Sequence, residues 1–453
     1  MGNEALYRDK PIWTAIWSLV IPSVLTILVM VVYNLADMFF IAMLGDDAQV
    51  AAVAVVSPVF SVANAVATTI GAGSCTLVAR ALGAGEREKA SALSSLSVWT
   101  ALGFGLIFSV LLLLFSVPVL RILGATEDLL GSSTHYLCIL ALGSPLMLFS
   151  VSVTSTIRAE GVIVPGMMSH MAGTLTNLVL DPLFILSFHM GVRGAALATV
   201  IGNLVSSLLL VWFIRTKCAV ICLSPRCACG SLPQLLPILM TGLPNGASSI
   251  LSGLASTFSN RLLKLYGSGA IAAMAAAGRS VMIITMIQMG ICMGVSPLLS
   301  YSYGAKNQER LRETLGKTAL LSFSFGLLST TSCFFGREVL LKLFLQDPAN
   351  LALGSSLMIW LIAASPFLGF YYLSSNFLQA IGHAFQATLA SVLRQGLLLI
   401  PLLYLLHAWM GLTGIAAAHT AADVCAILVT AWLGVTAFRR AVYGFEHKRR
   451  SVL

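Results

Sequence analysis

The 453-residue chain is 58% hydrophobic and 9% charged, with a mean hydropathy of +0.93. That composition excludes soluble enzyme folds and nucleic-acid binders and predicts a polytopic membrane protein. At about 20 apolar residues per crossing there is room for roughly twelve spans, so the net charge of +9 reads as topological rather than as a nucleic-acid footprint.

In chain order, a charged lead (Glu4, Arg8, Asp9, Lys10) precedes an apolar stretch from Ile12 to beyond Phe40. The stretch is too long for a signal-peptide core and is expected to remain as the first helix, with Pro22 inside it. Apolar runs between charge or Gly/Pro breaks predict spans near 12-44, 48-78, 91-118, 133-157, 163-188, 191-214, 234-263, 270-301, 317-336, 353-378, 384-408 and 412-437. With both termini inside, eighteen of the 26 Lys and Arg fall on the cytoplasmic side and six outside, with Arg279 and Arg394 left within spans. The positive-inside rule therefore sets the orientation.

The two halves repeat. Ile21-Pro22 and Leu243-Pro244 each precede a loop glycine, Gly45 and Gly267, by the same distance. At a constant offset of 221, Gly73 matches Gly294, Gly83-Ala84 matches Gly304-Ala305, Ser144-Pro145 matches Ser365-Pro366, and Gly161 matches Gly382. Gly191 and Gly194 match Gly411 and Gly414 at 220. An even number of spans per half inserts both halves the same way up, so two six-helix lobes around an axis along the membrane normal are expected, a transporter architecture. The expected division is a first lobe 1-214, a polar cytoplasmic linker 215-233, a second lobe 234-437 and a basic cytoplasmic tail 438-453.

A carboxylate inside a span costs on the order of 3 kcal/mol and survives mainly beside a cavity or a partner. Three acids qualify: Asp37 in span 1, Asp181 in span 5 and Asp423 in span 12. Counted from Gly45, the turn at His189 and Gly191, the residues Asp37, Asp181 and Thr199 share a depth roughly 10 to 12 Å below the outer loops. Asn177 precedes Asp181 by one turn on the same face. Pro182 lacks an N–H, which frees the carbonyl of Leu178 beside them. Carboxylates, an amide oxygen and a hydroxyl are hard ligands suited to Na⁺, and the same carboxylates bind H⁺. Asp423 reads more simply as a polar packing residue, since no polar cluster in the sequence surrounds it.

The segments Ile21-Pro22 with Tyr33-Asn34-Leu35-Ala36-Asp37, Arg80-Ala81-Leu82-Gly83-Ala84-Gly85, Asn177-Leu178-Val179-Leu180-Asp181-Pro182-Leu183-Phe184, Gly191-Val192-Arg193-Gly194-Ala195-Ala196 and Gly304-Ala305-Lys306-Asn307 resemble the multidrug and toxic compound extrusion (MATE) transporters. The resemblance runs over nearly the whole chain. It implies an all-α integral membrane protein of twelve transmembrane helices in two six-helix lobes, the MATE/MOP-type fold. It further implies a secondary active multidrug efflux transporter that exports organic, often cationic amphipathic compounds by alternating access in antiport with H⁺ or Na⁺. The cation site of the family's first lobe carries over onto Asp37, Asn177, Asp181 and Thr199. Spans 7, 8 and 10 lack acids, and Leu402 stands where Asp181 repeats. The chain therefore looks like the DinF-type, MepA-like branch, where coupling rests on the first lobe.

His419 holds the repeat position of Thr199, with Asp423 one turn on, which makes the two a candidate second titrating pair. Pro22 is the candidate hinge of helix 1. Arg279 and Arg394 are expected to pair with helix-end carbonyls rather than with an anionic ligand. Cys218, Cys222, Cys227 and Cys229 match no usual zinc spacing, so no metal is expected, and His170 reads as a core histidine. Met167, Met168, Met171, Met282, Met286, Met289 and Met293 supply adaptable apolar wall. No ATP-binding loop, His-Glu-x-x-His or Gly-x-Ser-x-Gly occurs, which argues against an enzyme; Asp37 and Asp181 lack the setting of an intramembrane aspartyl protease. A flippase for lipid-linked saccharides is the rival transporter reading, and would favour a more cationic cavity. The expected partners are small-molecule drugs or organic cations and the lipid bilayer, with no cofactor beyond the coupling ion. A functional monomer in the plasma or inner membrane, with both termini cytoplasmic, completes the expectation.

Overall fold

A computed structural model of the chain describes residues 4–42, 47–229 and 231–450; for side chains the description leaves aside 4, 32–48, 186, 229 and 442–450. Among the described residues the fold is all-helical, without a strand. In lipid only helices and closed barrels satisfy every backbone group internally, and a chain this apolar without alternating patterning takes the first route.

The helices run α1 (Glu4–Arg8), α2 (Ile12–Ala42), α3 (Asp47–Gly83), α4 (Arg87–Leu114), α5 (Ser116–Ile122), α6 (Glu127–Ile157), α7 (Ile163–Pro182), α8 (Val192–Lys217) and α9 (Pro225–Cys229) in the first half. The second half continues with α10 (Leu235–Leu263), α11 (Ser268–Gly304), α12 (Gln308–Lys342), α13 (Pro348–Ala363), α14 (Ser365–Ala380), α15 (Ala384–Val392), α16 (Leu399–Met410) and α17 (Leu412–Arg450). π-helical turns follow α7 at Leu183–Ser187 and join α15 to α16 at Leu393–Leu398.

Among the described residues nine helices are long and apolar enough to cross a membrane, or ten if α13 and α14, bent by 41° at Ala364, form one broken span. The other two expected spans are α7 and α10. Each is helical, but α7 carries Ser169, His170, Thr174, Thr176, Asn177 and Asp181, and α10 carries Asn245, Ser259, Asn260 and Arg261. These are the two helices whose polar content most weakens the apolar signal.

The repeat is visible in the backbone. Gly161 (φ 81°) and Gly382 (φ 88°) end equivalent turns in the left-handed region, and Gly191 (φ 58°) and Gly411 (φ 61°) open equivalent helices, conformations that a side chain would strain. It is also visible in packing. A Cβ on Gly105 would lie 2.5 Å from Cα of Pro145, and one on Gly326 would lie 3.0 Å from Cα of Pro366, the same contact 221 residues on.

The chain forms two compact units, one of residues 1–10 and 25–242, the other of 11–24 and 243–453. In the first, Val56, Leu112, Leu120, Leu137, Leu140 and Ile185 form a core between α3, α4, α5, α6 and the turn after α7. Tyr7 of α1 is fully buried there and donates its hydroxyl to the carbonyl of Arg158. Helices α3 and α10 touch backbone to backbone: a Cβ on Gly242 would sit 1.7 Å from the carbonyl oxygen of Thr69, and one on Gly73 1.9 Å from that of Ile238. Such small-residue contacts are how helices approach closely in lipid, where no hydrophobic force joins them.

In the second unit, Ala273, Ala277, Leu341, Leu357 and Met358 form one core and Leu262, Leu399, Leu403 and Ile415 another. The opening turns of α2 pack here. Gly294 of α11, the repeat mate of Gly73, is so close that a Cβ on it would meet the carbonyl of Leu19 and Oγ of Ser23, each at 2.9 Å. Helix α2 therefore serves both units, changing between Val24 and Leu25 near Pro22, and α10 does so between Gly242 and Leu243 beside Pro244.

Candidate functional site

The first unit carries a buried polar cluster on α7 and α8. Glycine brings the helices together: a Cβ on Gly202 would lie 2.7 Å from the carbonyl oxygen of Gly173 and 3.2 Å from Cβ of Asn177. At that spacing Asn177 Nδ2 donates to Thr199 Oγ1 over 3.3 Å, and Thr199 in turn donates to the carbonyl of Ala195 at 3.0 Å. Asn177 Oδ1 is buried with no hydrogen-bond partner among the described residues. One turn on, Asp181 is fully buried, at 0% exposure. Pro182 ends the helix just after it and the chain loosens into the π-turn, a form that gathers at functional positions. The structure thus brings Asn177 and Thr199 into contact, with Asp181 on the next turn of the same helix. Asp37 lies on the α2 segment of the same unit, and its side chain is outside the described residues.

The second unit has a charged cluster that sequence reasoning missed. Arg394, in the π-turn, donates Nε to Oδ1 of Asp423 on α17 at 2.7 Å and Nη1 to Oη of Tyr372 on α14 at 3.2 Å. Its guanidinium lies 4.8 Å from the ring centre of Tyr371 and 5.5 Å from that of Tyr372. Two expectations are corrected here. Arg394 pairs with a carboxylate rather than with helix-end carbonyls, because Asp423 offers full charge compensation where carbonyls offer partial charge. Asp423, in turn, sits inside a polar cluster, assembled from α14 and the α15–α16 turn. The available signal was two opposite charges in consecutive spans. His419 lies one turn before Asp423, and its Nε2 meets Ser259 Oγ at 3.5 Å. Arg279 is exposed on α11, and His170 meets Thr174 at 3.5 Å within its own helix.

The linker is tied to the first unit by a residue that no motif marks. Glu160 is fully buried and its carboxylate accepts the backbone N–H groups of Ala219 at 2.5 Å, Val220 at 3.2 Å and Ile221 at 3.4 Å. Beyond it, Ser94 Oγ accepts from the N–H of Cys222, Ser95 donates to the carbonyl of Ser224 at 2.6 Å, and Trp99 donates to that of Leu223. Burial, and then the Glu160 carboxylate, push the Cys218 thiol up to about 12. Cys222 and Cys227 stand sulfur to sulfur at 3.1 Å, and this contact raises the Cys227 thiol. Among the described residues no group of three or more His, Cys, Asp or Glu is placed to hold a metal ion.

A duplicated all-helical membrane fold with buried acids and polar groups among its helices is that of a membrane transporter, not an enzyme. The MatE family model matches residues 22–183 and again 244–405, two stretches displaced by the same 222 residues as Pro22 and Pro244. The chain belongs to the MatE family. It is 30% identical over 419 residues to the multidrug export protein MepA of Staphylococcus aureus, covering 92% of each chain, and 28% identical over 433 residues to MepA of Staphylococcus haemolyticus, covering 94% of this chain and 95% of that one. In fold it is similar to a multidrug resistance MATE family transporter of the MOP superfamily in an outward-facing conformation, at a TM-score of 0.91 and 24% identity over 97% of this chain and 98% of that one. A MOP superfamily transporter from Pyrococcus furiosus, described as having a binding pocket of reverse polarity, matches at 0.89 and 24% identity over 96% and 98%.

Proposed function

We propose that this chain is a secondary active multidrug exporter of organic, often cationic amphipathic compounds, working by alternating access in exchange for H⁺ or Na⁺. The observation that carries the reading is the buried set on α7 and α8: a fully buried carboxylate, Asp181, one turn from an amide whose nitrogen is joined to Thr199 and whose oxygen is unpartnered among the described residues. A buried carboxylate can take up and release a proton or a cation, which is the chemistry a coupling site uses. In this reading Asp37, Asn177, Asp181 and Thr199 bind the ion, and Pro22 is the hinge through which helix α2 responds. The relatives named multidrug export proteins support the substrate class.

The same reading has twelve spans, with α7 and α10 as two polar ones, in lobes 1-214 and 234-437 joined by a cytoplasmic linker 215-233 and followed by the basic tail 438-453. The protein works as a monomer in the plasma membrane with both termini cytoplasmic. A lipid-linked saccharide flippase is the weaker alternative, since Arg394 is already neutralised by Asp423. The test is transport of a cationic dye into proteoliposomes with Na⁺ and pH gradients imposed separately. The gradient of the coupling ion, imposed alone, should drive uptake and the other should not, and Asp37→Asn and Asp181→Asn should each abolish it in normally expressed protein. Wild-type transport in both variants would overturn the assignment.

A further inference from the structure

Among the described residues the cluster around Arg394 has no counterpart in the first half. The residue 221 positions earlier is Gly173, which packs bare against the carbonyl of Gly202. The second unit thus contains a buried arginine, 8% exposed, where its repeat mate contains no side chain at all. Burying a cation within a span is expensive, so the surroundings must compensate it. They do so with a carboxylate at 2.7 Å, a phenol oxygen at 3.2 Å and two ring faces, a set that suits any planar organic cation, because aromatic faces and a carboxylate together replace its water. That a planar cation of guanidinium size fits is visible directly, since that of Arg394 occupies the place.

Two further features bear on whether the occupant can leave. The Asp423 side chain is 19% exposed against 9% for that of Arg394, so the carboxylate is the more open partner of the pair. Arg394 also stands on the π-helical turn Leu393–Leu398, a form of backbone that gathers at functional positions. We propose that Asp423, Tyr371 and Tyr372 form an organic-cation subsite in the second unit, and that Arg394 is its built-in occupant, displaced by the cationic head of a substrate. This rests on the export reading, and adds to it a site where positive charge on the substrate is recognised. Arg394 sets the threshold, because an incoming cation must replace its ion pair with Asp423. Neutral compounds gain nothing there.

The experiment measures equilibrium binding of ethidium, with the neutral dye Nile red as control, to the purified full-length protein in detergent. Arg394→Met removes the internal competitor, and ethidium should bind about tenfold more tightly, the scale of one desolvated cation–aromatic and carboxylate contact. Arg394→Lys, which keeps a competing charge, should stay near wild type. The double change Arg394→Met with Asp423→Asn should lose the gain, and Nile red should be unaffected throughout. Ethidium affinity unchanged or weaker in Arg394→Met overturns the subsite. If that variant does not yield monodisperse protein, Tyr372→Leu decides. About threefold weaker ethidium binding with unchanged Nile red supports the subsite, and an equal effect on both dyes overturns it. Ethidium uptake by wild-type proteoliposomes separates the two readings. Uptake with a flat Arg394→Met response removes the subsite alone, and tighter binding in Arg394→Met without wild-type uptake removes the export reading alone.

Discussion

Asn177 donates its amide to the hydroxyl of Thr199 across the α7–α8 contact at 3.3 Å, which leaves its own carbonyl oxygen turned into the protein without a partner among the described residues. If Na⁺ is the coupling ion, both oxygens are ligands, and Asn177→Ala and Thr199→Ala should each weaken the Na⁺ dependence of dye transport by an order of magnitude or more. If H⁺ is the ion, the same changes should act only mildly. Titrating transport against Na⁺ and pH in the two variants distinguishes these outcomes.

Glu160 holds three successive linker N–H groups with one carboxylate. Hydrogen bonds to a buried charge are worth about 1.5–3 kcal/mol each, so Glu160→Ala, which removes the acceptor and leaves three donors unpaired, should lower stability by several kcal/mol. The linker should also become sensitive to limited proteolysis between residues 218 and 231. Protection equal to wild type would show that Ser94, Ser95 and Trp99 hold the segment on their own.

Gly242 has no room for a methyl group, since a Cβ would lie 1.7 Å from the carbonyl oxygen of Thr69. Gly242→Ala must push α3 and α10 apart, and overpacking of this kind costs about 1–3 kcal/mol. A lower thermal midpoint of the purified protein is expected. The effect of Gly73→Ala, across the same contact, should be less than additive with it, because either change alone already opens the seam.

The Cys218 thiol, raised to about 12, stays protonated at neutral pH, and only the thiolate reacts. Because its value in the folded chain lies above the ordinary 9.0, the stabilisation from burying the protonated thiol is complete below about pH 9 and fades as pH rises towards 12. Maleimide should label Cys218 slowly at pH 7 and faster at alkaline pH. In Glu160→Gln the negative neighbour is gone, so labelling should quicken at every pH, and an unchanged rate would show that burial alone protects the thiol.

What was legible in the sequence follows from what is local or repeated. The order of the helices could be read from runs of apolar residues, and the duplication from glycines and prolines at a fixed offset, because positive φ and close backbone approach demand those residue types at Gly161, Gly382, Gly191 and Gly411. Asn177 and Asp181 stand out as a candidate pair because they lie one turn apart on one helix. Arg394 with Asp423, and Glu160 with Ala219, could not be found that way. Their partners are 29 and 59 residues away, and whether two side chains on different helices meet depends on the rotation of each helix about its axis, which an apolar run does not specify. The count of spans failed to be plain for a related reason. Helix α7 is polar because it carries the residues of the candidate site, and those same residues dilute the signal that would mark it as spanning.

The shared ownership of α2 bears on how the chain is made. Residues 11–24 leave the ribosome well before the surface they pack on, which, around Gly294, is synthesised 275 residues after Leu19. Until then the segment lacks that surface, and the translocon or lipid must shelter it. Its docking belongs to the late, slow class of long-range contacts in assembly. A nascent chain stalled before α11 should accordingly keep Leu19 and Ser23 accessible to crosslinking with lipid or chaperone, and two separately inserted halves should regain their native form only when both are present in the same membrane.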